Sequence, residues 1–290
     1  MQDARCNLCG SETFRVLERE TFKFRARHPE LQKDISVVRC IECGLKYLVP
    51  QPDDIALKYE DKYFDSFLKS GCEMAGGSYE VAEYLKKRLM DIEEMTGGRG
   101  RLLEVGIGTG TFLGFAKEQG WDVCGVDVSK WASARAKEKY GVETIQGDIL
   151  EITFTQKFDA VHMNHSLEHM PDPRGVLKKV NLILRDRGIL FVEVPNEFNT
   201  LLDMVKENLL KRIPGEPSYH LYFFTPKTLA EMVKKAGFGI VRCRSVRREK
   251  DLKSRYFLGG AAKFVIYVAE EIFDMKPNIE LVAFKKSQYE

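Results

Sequence analysis

Residues 101–120 read RLLEVGIGTGTFLGFAKEQG, and the order of features within them decides the fold. Leu102, Leu103 and Val105 form a short apolar run suited to a strand buried on both faces. Gly106, Gly108 and Gly110 follow, and then Thr111–Gly120, where Phe112, Leu113, Phe115 and Ala116 recur at helical spacing. Strand, glycine-rich turn and helix in this order bring a backbone against a nucleoside-bearing ligand. Glycine has no Cβ to hold that ligand off, and it accepts positive φ.

Counted from Gly106, the dinucleotide fingerprint G-x-G-x-x-G fails at Thr111, where its third glycine should stand. The spacing is instead E-x-G-x-G-x-G, with Glu104 on the strand just before the turn. That pattern suits S-adenosylmethionine (SAM), whose sulfonium and amino groups are cationic and which carries no pyrophosphate. A glycine turn serving packing alone is the bland alternative. Working outward, Val123–Val128 is a second apolar strand in which Asp127 stands where a carboxylate can accept both ribose hydroxyls. Val142–Ile145 is a third strand, followed by Gly147-Asp148-Ile149, the place where a carboxylate meets an adenine edge. Phe158–Met163 is a fourth, leading into Asn164-His165-Ser166-Leu167-Glu168-His169-Met170-Pro171-Asp172-Pro173. Gly188–Val194 is a fifth. Strands alternating with helices through short turns predict a doubly wound parallel sheet.

These four ordered motifs together resemble a class I SAM-dependent methyltransferase, nearest the branch that includes ubiquinone-type O-methyltransferases and zinc-containing sugar methyltransferases. The resemblance implies an α/β, Rossmann-like, seven-stranded sheet with helices on both faces. It also implies cofactor contacts from Glu104, Gly106, Gly108, Gly110, Asp127, Val128, Asp148, Ile149 and Asn164. Phe238–Val246 and Ile279–Lys285 are the expected sixth and seventh strands.

The N-terminal residues carry a second chemistry. Cys6-Asn7-Leu8-Cys9-Gly10 and Cys40-Ile41-Glu42-Cys43-Gly44 are two C-x-x-C-G knuckles. Each presents two thiolates to one ion, so Cys6, Cys9, Cys40 and Cys43 are candidate zinc ligands, and four cysteines leave no coordination position open: the ion reads as structural. The spacer is long enough for a hairpin, Phe14–Leu17 with Phe22–Phe24, before a strand at Ile35–Arg39. The cations Arg19, Lys23, Arg25 and Arg27 invite a nucleic-acid reading, but interspersed Glu18, Glu20 and Glu30 favour a solvated face. Cys72, Cys124 and Cys243 lie outside the pattern. The run CGLKYLVPQP into a Tyr-rich helix resembles the N-terminal ribbon of the zinc-containing sugar methyltransferases.

The expected organisation is therefore a small zinc ribbon over residues 1–50 and a helical lead-in over 51–97 that covers the cofactor. A methyltransferase domain follows over 98–290, with inserted helices at 198–213 and 256–273. Within the lead-in, residues 54–70 carry Tyr59, Tyr63, Phe64 and Phe67, and Ser78–Met95 is a long helix. Tyr63, Tyr79 or Arg88 could touch the cofactor's methionine end, although packing is the commoner role for such residues. The inserted helices read as a wall or lid over substrate in preference to a peripheral membrane contact, because their polar faces mix both signs. Forty-five Lys and Arg against 43 Asp and Glu leave a net charge of +2, which argues against general polyanion affinity. A polar start and no apolar run of membrane-spanning length point to a cytoplasmic protein.

Methyl transfer to a hydroxyl or carbon acid requires a proton to be removed. Three histidines, His165, His169 and His220, fall where a base would be wanted. In the sugar C-methyltransferase relatives a histidine before a Y/F-F-S/T run acts as base, and His220 matches it; Tyr219 stands where they carry an acidic residue. In the ubiquinone-type enzymes the strand-four segment E-x-L-E-H holds a divalent metal. Here His165 replaces the first carboxylate, leaving Glu168/His169 as the matching pair. The expected activity is methyl transfer from SAM to a small polar acceptor, a sugar, nucleotide-sugar or related metabolite hydroxyl. A nucleic-acid-modifying methyltransferase, using the ribbon and Arg242, Arg244, Arg247 and Arg248, and a non-catalytic SAM-binding module are the alternatives.

Overall fold

The computed structural model describes residues 5–18, 21, 35–51, 83–197, 220–247, 268–272 and 274–287. The expected helices at 54–70 and 198–213, the Phe22–Phe24 strand and the residues Tyr63, Tyr79, Tyr219 and Arg248 lie outside these, as do residues 256–267. Residues 268–272 are helical.

The central sheet begins at β4 (Arg101–Val105), after the ribbon strands β1 (Phe14–Val16), β2 (Ser36–Cys40) and β3 (Lys46–Val49) and helix α1 (Glu83–Thr96). From β4 the chain runs through α2 (Thr111–Glu118), β5 (Asp122–Asp127), α3 (Lys130–Tyr140) and β6 (Glu143–Gln146). It then crosses to the other side of β4 as β7 (Phe158–Asn164), α4 (Pro173–Ile183) and β8 (Leu184–Pro195). After β9 (Tyr222–Phe223), α5 (Pro226–Lys235) leads to β10 (Phe238–Val246), and β11 (Asn278–Lys285) closes the sheet. The strand order is β10-β11-β8-β7-β4-β5-β6. Five neighbouring strands are parallel, whereas β11 inserts antiparallel to both β8 and β10, so the sheet is mixed. Because the chain reverses direction across the sheet between β4 and β7, the crevice at their carboxyl ends is where a ligand belongs.

Alternation along the strands explains the two-sided core. Leu102, Ile189 and Phe191 face Leu89 and Ile92 of α1, Phe112 and Leu113 of α2 and Ala136 of α3. Their neighbours Leu103, Leu190 and Val192 face the opposite side, with Val176 and Leu177 of α4 and Leu229 and Met232 of α5. Leu8, Val37, Leu45 and Leu48 of the ribbon belong to that same second core. Strand β8 starts four residues earlier than its apolar run suggests, because Arg185, Asp186 and Arg187 are exposed at its outer end.

The ribbon strands form a separate sheet of order β1-β2-β3-β9. Its fourth strand, β9, comes from the far side of the sequence and pairs antiparallel with β3, Tyr47 opposite Tyr222 and Lys46 opposite Phe223.

Candidate functional site

The glycine turn behind β4 has φ of +83° at Gly106, +57° at Gly108 and +77° at Gly110, a left-handed path that side chains resist. Gly106 donates its N–H to Val126 O at 2.8 Å. A Cβ there would meet Ser166 Cβ at 2.5 Å, so the turn and the segment after β7 touch. A Cβ on Gly108 would meet nothing, which leaves the outer side of the turn open. Asp127, at the end of β5, accepts from Ser129 N at 2.8 Å and Gly108 N at 3.3 Å, and burial raises its carboxyl above the ordinary range. Val128 beside it is exposed and Ile149 is buried. Asp148 accepts from Leu150 N at 2.9 Å.

Glu104 lies buried beneath the turn. One carboxylate oxygen receives His162 Nδ1 at 2.9 Å, and the other has no hydrogen-bond partner among the described residues. Burial pushes this carboxyl well up, against the pull of Arg88. His162 is itself pushed well down by burial and by Arg88, so its imidazole is neutral. Arg88 Nη1 lies 3.0 Å from His162 Nε2, which makes Nε2 the acceptor and leaves the Nδ1 proton for Glu104. The same guanidinium donates to Asn164 Oδ1 at 2.8 Å, pairs with Glu193 and sits 4.4 Å from the Phe191 ring centroid. Arg88 is thus buried in the sheet's support instead of facing solvent.

At the carboxyl end of β7 the three candidate histidines converge on one carboxylate. Glu168 is 1% exposed. Its Oε1 lies 3.6 Å from His165 Nδ1, 3.7 Å from His169 Nε2 and 3.9 Å from His220 Nε2. Burial alone would raise its pKa; the approach of His165 and the positive fields of the three histidines hold it below the usual value. His165, at φ +51°, also faces Glu193 at 3.5 Å. Burial would lower its pKa, but the two carboxylates raise it to about 9, so this imidazole is cationic near neutrality. His220 Nδ1 meets Glu197 Oε2 at 2.6 Å, and the rings of His169 and His220 stand 4.7 Å apart.

In the ribbon, the sulfurs of Cys6 and Cys43, and of Cys9 and Cys40, are 3.5 Å apart, and all four lie within 4.8 Å of one another. Tetrahedral zinc–thiolate bonds of about 2.3 Å set neighbouring sulfurs about 3.8 Å apart, so this donor set fits the ion. Gly10 and Gly44, at φ +81° and +79°, close the two knuckles by donating to Cys6 O and Cys40 O.

Sequence reasoning alone does not single out His162, Glu193 or Glu197. A signal exists for the first two, since each is a polar residue inside an apolar strand, FDAVHM and GILFVEV. For Glu197 there is none.

A sheet of this order, a left-handed glycine turn after its first strand and a carboxylate closing the second define a class I SAM-dependent methyltransferase. A methyltransferase-domain family model matches residues 78–242, and the chain belongs to that family. It is 25% identical over 208 residues to the ubiquinone biosynthesis O-methyltransferase of Aeromonas salmonicida, covering 68% of this chain and 87% of that one. An uncharacterised protein of Methanocaldococcus jannaschii is 29% identical over 182 residues, covering 60% and 83%. Among solved structures, a SAM-dependent methyltransferase from Archaeoglobus fulgidus superposes with a TM-score of 0.52 at 21% identity, covering 70% of this chain and 94% of that chain. This last likeness concerns the fold.

Proposed function

We propose that the protein methylates a hydroxyl of a small polar acceptor, with His220 as the general base. The observation that carries the reading is the pairing of His220 with Glu197, beside Glu168 in the segment after β7. A carboxylate behind a histidine orients the ring and stabilises the proton it gains. On the cofactor side, Gly106, Gly108 and Gly110 would admit SAM, Asp127 would accept from its ribose hydroxyls, and Asp148, Val128 and Ile149 would border the adenine. Glu104, with an oxygen to spare, would sit beneath the cationic methionine end, beside Asn164. When bound, SAM supplies a methyl group on a sulfonium, transferred in line. His220 would take the hydroxyl proton as the acceptor oxygen approaches, while His165, with its two ring nitrogens turned to Glu168 and Glu193, would hold those carboxylates in place beside it. His169 would hold the His220 ring and Glu168 in register. O-methylation also agrees with the name of the Aeromonas relative, an O-methyltransferase.

A small acceptor is preferred to nucleic acid because the basic strand is already neutralised. Arg242 pairs with Asp91 and Glu280, Arg244 with Glu280 and Arg247 with Glu270. Among the described residues no helix is long and apolar enough to cross a membrane. We place the reaction in the cytoplasm because SAM is an intracellular cofactor. The ribbon over 1–50 would hold one structural zinc on Cys6, Cys9, Cys40 and Cys43.

One observation favours a second reading. Both oxygens of Glu168 lack a hydrogen-bond partner among the described residues, and donor atoms of Glu168, His169 and His220 lie within 4.8 Å of one another. These three would hold a divalent cation that lowers the acceptor hydroxyl's pKa. Transfer of labelled methyl from SAM to a panel of sugars, nucleotide-sugars and catechols tests both readings. His220→Ala should lower kcat by about 10²–10⁴-fold with SAM affinity unchanged. Turnover that stops with chelator while the ribbon keeps its zinc selects the metal reading. Wild-type turnover by His220→Ala, or a product methylated on carbon or nitrogen, overturns the base assignment to a hydroxyl.

A further inference from the structure

We infer that the ribbon is a positioning element for the acceptor side of the site: its first knuckle and its edge strand hold the two short segments that carry Glu168, His169 and His220. Neither segment has much structure of its own. Leu167–His169 is a single 3-10 turn, and Tyr222–Phe223 is a two-residue strand that pairs with β3. A strand of that length owes its geometry to the edge it joins.

Three contacts tie these segments to the ribbon. Asn7, between Cys6 and Cys9, donates Nδ2–H to Asp172 Oδ1 at 2.7 Å and accepts from Arg174 N at 3.0 Å. Asp172 also accepts from Gly175 N at 2.9 Å, so the knuckle grips the capped start of α4, three residues beyond His169. Leu221 is the second tie. Its carbonyl accepts from Leu48 N at 3.0 Å and its N–H donates to Glu168 O at 2.9 Å, which joins ribbon and cluster through one residue. Tyr222 is the third: its hydroxyl donates to Pro171 O at 2.9 Å and accepts from Gln51 Nε2 at 2.8 Å, and its ring stacks on Tyr47. The glycine turn and Asp127 are held by β4 and β5, through Gly106 N to Val126 O and Gly108 N to Asp127, and touch the segment after β7 only at Ser166 among the contacts described.

A ribbon this small folds around its ion. Loading of the four cysteines therefore sets the acceptor side and leaves the cofactor side alone. This consequence rests on reading the histidine cluster as the acceptor site; the mechanical coupling does not.

The test compares full-length, metal-loaded wild type with Asn7→Ala and Tyr222→Phe, each checked for metal content by elemental analysis. The readouts are imidazole ¹H–¹⁵N resonances of His169 and His220, amide hydrogen exchange and calorimetric binding of S-adenosylhomocysteine. In Asn7→Ala, whose lost side chain touches neither histidine, the His169 and His220 resonances should shift and exchange over 168–175 and 220–224 should rise about tenfold. Affinity for S-adenosylhomocysteine should stay within about twofold. Should Asn7→Ala lose its metal, Tyr222→Phe, which keeps the knuckle and the ring, must show the same pattern. Unchanged resonances with faster exchange confined to residues 5–51 overturn the inference. Loss of S-adenosylhomocysteine binding alongside it overturns the separation of the two sides. Failure of the hydroxyl reading would show only in the product analysis above.

Discussion

Two residues carry the electrostatics of the two halves of the site. Asp127 holds the turn through Gly108 N and Ser129 N, and the proposed reading sets it against the SAM ribose. Asp127→Ala should weaken SAM binding by about 2–4 kcal/mol, seen as a higher Kd in calorimetry, because a charge-assisted hydrogen-bond pair is lost. Calorimetry in which NADH binds and SAM does not would refute the cofactor assignment. His165 has a different signature. Its folded pKa of about 9 lies above its ordinary 6.5, so folding favours the cation. Its contribution to stability is fully present below about pH 6.5 and is lost as pH rises through about 9. His165→Asn tolerates the left-handed backbone and removes the charge. The gap in melting temperature between wild type and this variant, both with the four cysteines loaded and no other divalent ion added, should be widest near pH 6 and close above pH 9. A gap independent of pH would mean that His165 is not held as a cation.

At the scale of elements, the site is a meeting of three strand ends. The turn after β4 presses on the segment after β7 at Gly106, where an added Cβ would come within 2.5 Å of Ser166 Cβ. Gly106→Ala should cost about 1–3 kcal/mol from the left-handed φ and the clash, lowering the melting temperature by about 2–4 °C per kcal/mol. It should also weaken SAM binding, whereas an alanine variant with native melting and native Kd would contradict the importance of this contact. Helix α1 contributes by a single buried cation. Arg88 joins Asn164, His162 and Glu193, so the strand that carries the histidines and the strand behind it share one counter-ion.

Over the whole molecule, the ribbon and the methyltransferase sheet share a core, and β9 is a strand of the ribbon's sheet drawn from beyond β8. Protein purified without chelator should contain one zinc per chain, and its removal should lower the melting temperature, since metal binding is coupled to folding in small thiolate modules. Elemental analysis finding no zinc would refute the four-thiolate site.

What the sequence by itself determined is the glycine turn, the strand-end carboxylate and the four-cysteine cluster. Strand, glycine turn, helix and strand-end carboxylate are written within Arg101–Asp127, because left-handed turns and strand ends are local backbone facts that spacing reports. The knuckles are likewise local, each cysteine pair set by a C-x-x-C turn. The seven strands were legible for the same reason, except where polar residues lengthened β8. Only the tertiary structure decided the convergence around Glu168. Glu168, His220, Glu197 and Glu193 come from three separate segments, and no periodicity links them. The crossover between β4 and β7, and the pairing of β3 with β9, bring them to one place. Buried charges such as Arg88 and Glu193 have meaning only beside their partners, since each alone would be too costly to bury.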